Sequence, residues 1–154
     1  MAGFMKKLNG YVYDGEHVAS VAMANGIFVE IDSSTNKVKP ITAAGDTEFR
    51  VDEKTTLWGK YALVLNVILE GDKEQYFLEN DLDTKGLPDY DTADLTCKVG
   101  EYCRMHRPVI NDQLIMTVEK TLYDALVVGD TVLPAIGGSV ADRKSTRLNS
   151  SHDT

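Results

Sequence analysis

Short apolar runs with a two-residue period recur along the chain, each bounded by Gly, Asn or Asp, and no long stripe of helical spacing interrupts them. That pattern predicts an all-β domain, a small sandwich or barrel built from hairpins with at most one short helix. Residues 17–23 and 26–31 flank Ala24-Asn25-Gly26, and Asn-Gly takes the positive φ angles of a tight turn, so a hairpin is expected there. In its second arm Ile27, Val29 and Ile31 share one face, and Phe28 and Glu30 share the other. Residues 38–42 are expected to turn at Ala44-Gly45-Asp46 into 47–51, a second hairpin in which Phe49 and Val51 alternate with Glu48, Arg50 and Asp52. Residues 61–69 are apolar on both faces, which predicts a central strand covered from both sides. Glu70-Gly71-Asp72 should turn it into 75–78.

The stretch 79–94 changes character: it is rich in Asp, holds Gly86 and Pro88, and has few apolar side chains, as an exposed loop would. Beyond it, 95–99, 102–107, 113–118 and 131–135 are expected as strands, with a helical turn at 121–126 and a chain reversal at Gly129-Asp130. A strand at 102–107 points Arg104 and His106 to one side and Cys103 and Met105 to the core side. The organisation that follows is an N-terminal arm (1–16), a β-rich structural domain (17–141) and a tail (142–154).

The tail has its own explanation. Asp142 to His152 (DRKSTRLNSSH) matches, residue for residue, one translated frame of a widely used short-read sequencing adapter. It is therefore set aside from fold reasoning as an artefact, with Asp153 and Thr154 as read-through. A sequence assembled from bulk reads, as from an environmental or viral sample, is implied, and the native C-terminus is then expected to lie elsewhere.

Removing 142–154 takes Arg143, Lys144 and Arg147 from the 16 basic residues and Asp142 and Asp153 from the 24 acidic ones, leaving 13 against 22 and a net charge of −9. A phosphate backbone is bound through clustered Lys and Arg, and only Lys6-Lys7 and Arg104 with Arg107 are close-set, so nucleic acid is not an expected partner. Lys6-Lys7 leads into Asn9-Gly10 rather than an apolar stretch, which does not suit an export signal. The longest apolar run is half a membrane span and contains Asn66, so no membrane partner is expected either. Cys97 and Cys103 face each other only if a turn at Gly100 brings them together, and a chain made in the cytoplasm is expected to keep them reduced.

Candidate chemistry is thin. Asp81, Asp83 and Asp89 with Gly86 imitate the start of a calcium loop, but Lys85 and Thr92 stand where oxygen donors of negative charge are needed. A solvated acidic loop is expected instead. Cys97, Cys103 and His106 lack a fourth ligand at zinc spacing, and His17 stands apart. Ser20 and Cys103 lie in no nucleophile elbow, and Gly137-Gly138-Ser139 opens no phosphate-binding helix. No catalytic, cofactor-binding or metal site is assigned, and the chain is expected not to be an enzyme.

Three stretches taken together resemble phage head proteins of the decoration or auxiliary type. The first is 18–31 (VASVAMANGIFVEI). The second is Lys98-Val99-Gly100-Glu101-Tyr102-Cys103-Arg104 followed by Asn111-Asp112-Gln113-Leu114-Ile115-Met116-Thr117. The third is Val127-Val128-Gly129-Asp130-Thr131-Val132-Leu133-Pro134. The resemblance implies a β-rich capsid decoration protein that stabilises the outside of an assembled shell. Its implied partner is the major capsid protein, with a homo-oligomer possible, its place the virion, and its cofactors none. Similar head proteins continue into at least one further strand, so an incomplete sheet is expected near the tail. The alternative is a small β-barrel module for carbohydrate or host attachment, presenting aromatics such as Trp58, Tyr61, Tyr76, Tyr90 and Tyr123.

Overall fold

The computed structural model describes residues 3–10, 13–57, 59–79 and 96–143. They form an all-β sandwich with one short helix. Its framework is a hairpin of β6 (Glu48–Leu57) and β7 (Lys60–Leu69), running from Leu57 opposite Lys60 to Glu48 opposite Leu69 with register shifts between Val51 and Glu53 and between Glu48 and Phe49. Gly59 takes φ 76° in the connection, where a side chain would be strained. β11 (Gln113–Thr117) pairs with the free side of β7, and β1 (Gly3–Lys7) pairs with β11. On the other flank β12 (Thr131–Pro134) pairs with β6 and β13 (Val140–Asp142) with β12. The six-stranded order is β1-β11-β7-β6-β12-β13.

Facing it is a five-stranded sheet in the order β2-β10-β8-β4-β5, made of β2 (Tyr13–Asp14), β10 (Met105–His106), β8 (Tyr76–Leu78), β4 (Phe28–Asp32) and β5 (Lys37–Pro40). The main core lies between the sheets: Phe28 and Phe77 from one, and Phe49, Val51, Leu63, Leu65, Val67, Leu114 and Met116 from the other. Phe28 packs against Phe49 and Phe77 with ring centroids 5.5 and 5.4 Å apart. Each such side chain contributes about 1.5–3 kcal/mol by leaving water. Helix α1 (Lys120–Ala125) adds Leu122 and Tyr123 to the same core, and Leu126 follows it inward.

A second core covers the opposite face of the five-stranded sheet. There Val29, Val38, Leu78 and Met105 meet Ala19, Met23, Ile27, Cys97 and Cys103 under a ribbon of β3 (Met23–Ala24) and β9 (Thr96–Cys97). A smaller cluster of Ala62, Val64 and Ile115 with Phe4 and Leu57 lies on the outer face of the six-stranded sheet.

The central strand at 61–69 is where its pattern put it, paired on both sides and buried on both faces from Ala62 to Val67. The two sequence-expected hairpins are not hairpins. Gly26 does take positive φ (84°), but β4 pairs with β5 and β8, so both its edges are filled by other segments. Residues 18–20 instead run beside Val38 and Tyr102. Likewise β5 and β6 lie in different sheets, so 41–47 is a crossover, and 70–75 is the crossover back rather than a turn into a paired strand.

These two crossovers clasp each other: the Asp72 and Lys73 amides donate to the Asp46 carboxylate (2.8 and 3.3 Å), and the Gly71 amide to Thr47 Oγ1 (3.2 Å). A Cβ on Gly71 would run into the Asp46 side chain and the Thr47 backbone, so the approach needs glycine. The reversal at Gly129-Asp130 is present, with Gly129 at φ 100°.

The strand pattern does not end at Ala135. Gly137-Gly138 turns β12 into β13, and that turn docks on the facing sheet, the Phe28 amide donating to Gly138 O (2.8 Å) and the Gly137 amide to Ile41 O (3.0 Å). Residues 3–7, which the sequence assigns to an arm, are the edge strand of the larger sheet. The tail beyond Arg143 lies outside the described residues; Arg143 itself pairs with Glu48 at 3.3 Å.

Candidate functional site

Two of the sequence stretches singled out above meet at one corner. Residues 98–102 form a turn in which Gly100 takes φ 85°, the Glu101 amide returns to Lys98 O (3.0 Å) and Glu101 Oε1 accepts the Lys98 amide (2.7 Å). The segment 17–20 runs alongside. The Ala19 amide donates to Glu101 O, the Gly100 amide to Ala19 O and the Cys103 amide to His17 O, each at 2.9 Å.

Beneath the turn the buried Cys97 and Cys103 side chains bring their Sγ atoms to 3.5 Å, without a disulfide between them. The Cys103 thiol is pushed far up from its ordinary value, first by its hydrogen bond with Cys97 and then by burial. Above it the corner is apolar and open: Val21 is 44 % exposed, Val99 66 % and Tyr102 68 %. The turn at Gly100 was foreseeable from the sequence; the arrival of 17–21 beside it was not, because nothing local encodes a neighbour some 80 residues away.

The other candidates separate. His106 is 5 % exposed rather than on a solvent face, a correction to the strand reading of 102–107. β10 sits between β2 and β8, and His106 is opposite Phe77, whose face is the main core; Met105, opposite Leu78, faces the second core. Cys103 and Met105 are core as expected. Glu79 bridges the sheets here: its Oε2 accepts the Met5 amide from β1 (2.7 Å) and its Oε1 lies 3.4 Å from His106 Nε2. The carboxylate thereby occupies a backbone donor of the edge strand, a structural role.

Ser20 donates its hydroxyl to Val38 O (3.0 Å), and His17 Nδ1 is 2.9 Å from Asp14 Oδ1. Among the described residues no group of three or more His, Cys, Asp or Glu is placed to hold a metal ion. No described helix is long and apolar enough to cross a membrane. Asp81, Asp83, Lys85, Gly86, Asp89 and Thr92 lie outside the described residues, as do Trp58 and Tyr90.

Of the aromatics that remain, Tyr76 is half-buried against the second core, and its hydroxyl is pushed up by burial and then by the charges of Glu74 and Asp14. Tyr61 is 38 % exposed and packs on Tyr123 at 4.8 Å, with Lys54 Nζ 4.3 Å over the Tyr123 ring. An open cleft of about 460 Å³ runs past Tyr61, between Gly59-Lys60 and the chain from Thr117 to Lys120. Lys120, beside it, is held by Asp124 at 2.7 Å, and this hydrogen bond raises its ammonium above the ordinary lysine range.

No family model matches the chain, and no curated protein or solved structure matches it at a significant level.

Proposed function

We propose that the chain is a non-enzymatic structural protein of a bacteriophage virion that docks on the outer surface of the capsid shell and stabilises it. One observation carries this reading: the first two stretches that resemble head proteins adjoin at the 98–102 corner and there present Val21, Val99 and Tyr102 to solvent. Apolar side chains raised on a turn, rather than lining a cavity, suit docking onto a large protein surface. The acidic balance argues against a phosphate backbone as the partner. The protein would be made in the host cytoplasm and carried on the particle beside the major capsid protein.

Co-sedimentation with empty capsid shells of its own phage tests the reading. Binding should be lost in the Val99→Asp/Tyr102→Asp double variant while its far-UV circular dichroism stays that of the parent. Failure of the parent chain to co-sediment would overturn it. A second reading, a module for carbohydrate or host attachment, draws on Tyr61 at the rim of the cleft, since an exposed aromatic face suits a sugar ring. Glycan binding that disappears in Tyr61→Ala and ignores Tyr102 would favour it.

A further inference from the structure

The Cys97 and Cys103 pair goes beyond either reading. The thiols belong to the second core, where Cys97 is 2 % exposed and Cys103 not exposed at all. Buried cysteines usually behave as small apolar residues. Here two of them touch, Cys97 in β9 and Cys103 in the segment that leads to β10, on either side of a turn whose reversal rests on Gly100, and both sulfurs sit 3.9 Å from the same carbonyl oxygen, that of Glu101. A disulfide needs sulfurs at about 2 Å, with the two Cβ atoms about 3.5–4.5 Å apart. The 3.5 Å contact leaves only a small approach to be made.

We propose that Cys97 and Cys103 are an oxidisable pair that a small-molecule disulfide, such as oxidised glutathione, converts into an intrachain cross-link stapling the 98–102 turn. The chemistry balances through two exchanges. One cysteine thiolate attacks the small disulfide, forming a mixed disulfide and expelling one small thiolate. The other cysteine, losing its proton to solvent, then attacks the protein sulfur of that mixed disulfide and expels the second small thiolate. The protein loses two protons and two electrons, and the small disulfide becomes two thiols.

The order of events follows from burial. An oxidant cannot reach the sulfurs while the Ala19, Gly100 and Cys103 amides hold the turn down, so exchange waits on a local opening of 98–102. The strands β3 and β9, the second of which carries Cys97, are two residues each, which makes this corner the easiest part of the second core to lift. The raised Cys103 thiol keeps the reduced pair slow near neutrality and quickens it as pH rises. Once closed, the cross-link removes freedom from the unfolded chain over a short loop and holds Val99 and Tyr102 in place.

The test uses the full, folded chain incubated with excess oxidised glutathione at mildly alkaline pH, then denatured and treated with an alkylating agent. The expected product is a monomer lighter by two hydrogens, without alkylation, whose melting temperature is about 5 °C above that of the reduced chain. Cys97→Ser and Cys103→Ser, treated alike, should give neither the cross-linked monomer nor the rise. If the oxidised parent remains fully alkylated, forms only intermolecular disulfides, or melts below the reduced chain, the proposal fails. Should a serine variant not fold, the mass and melting shift of the parent still decide.

Discussion

The two sheets of the sandwich are made in different ways. The six-stranded sheet grows from β6 and β7, ten residues each and joined across Gly59, so that its central ladder is local in sequence. The five-stranded sheet is assembled from strands of two to five residues, and only β4 and β5 follow one another along the chain. A two-residue strand cannot hold its place by ladder bonds alone. β8 and β10 are fixed because Phe77 is pulled into the main core while Leu78 and Met105 are pulled into the second one. In one sheet pairing organises burial; in the other, burial on both faces organises pairing.

Core truncation separates these two modes and should show the largest effects. Leu65 in β7 and Leu78 in β8 are both fully buried, in the main and second cores respectively. Leu65→Ala should cost about 4 kcal/mol, because a strand locked on both sides cannot close over the cavity. Leu78→Ala should cost about 2–3 kcal/mol, because the short β3–β9 ribbon above it can settle inward. Equilibrium urea unfolding measures both. An equal or larger loss for Leu78→Ala would mean that the second core is as rigid as the first, and the contrast would collapse.

The same contrast explains what the sequence discloses. The apolar run at 61–69 and the alternation of Phe49 and Val51 are local properties, and both sit where the pattern puts them. Half of β6 stays hidden because 52–56 is polar and a register shift between Val51 and Glu53 breaks its alternation. Asn25-Gly26 and Ala44-Gly45-Asp46 bend the chain as their chemistry demands, but a turn specifies a change of direction and not the strand that will be met. Hence both expected hairpins became passages between layers. The burial of His106 was illegible for a related reason: its neighbour Glu79 is 27 positions away and contacts β1 as well. At the candidate corner, Gly100 announced the turn, while the apposition of 17–21 depended on β5 and Tyr102.

A smaller effect probes the non-local seam inside the six-stranded sheet. β1 and β11 lie more than 100 residues apart, and buried Asp112 joins their ends: Oδ1 accepts the Asn9 and Gly10 amides (2.5 and 3.2 Å) and Oδ2 the Val109 amide (2.9 Å). Asp112→Ala strands three backbone donors and should cost about 2 kcal/mol. Hydrogen exchange should quicken at Asn9, Gly10, Val109 and along β1, while the β6–β7 hairpin keeps its protection. Uniform loss of protection across both pairs would show that the larger sheet has no weaker seam and behaves as one unit.

The smallest effect concerns the clasp between the sheets. Partial burial raises the Asp46 carboxyl, but the Asp72 and Lys73 amides, and after them the charge of Lys73, outweigh it and hold the group below the usual 3.8. A carboxylate whose folded value is depressed stabilises the protein fully above its unfolded value, and that contribution fades as pH falls through the folded one. Because the crossover lies at the surface, solvent screening keeps the contribution below about 1 kcal/mol. Asp46→Asn retains an oxygen acceptor but no charge, so the parent should be more stable by about 0.5 kcal/mol near neutrality. That difference should shrink once the pH drops below 3.8 and vanish in stronger acid, whereas the loss in Leu65→Ala, an uncharged site, should persist there. Urea midpoints for the parent and Asp46→Asn across that range give the answer, since carboxylates common to both chains cancel in the difference. A gap that stays constant into acid would mean that Asp46 acts through its shape rather than its charge, and that the crossovers are joined by packing, as the five-stranded sheet is.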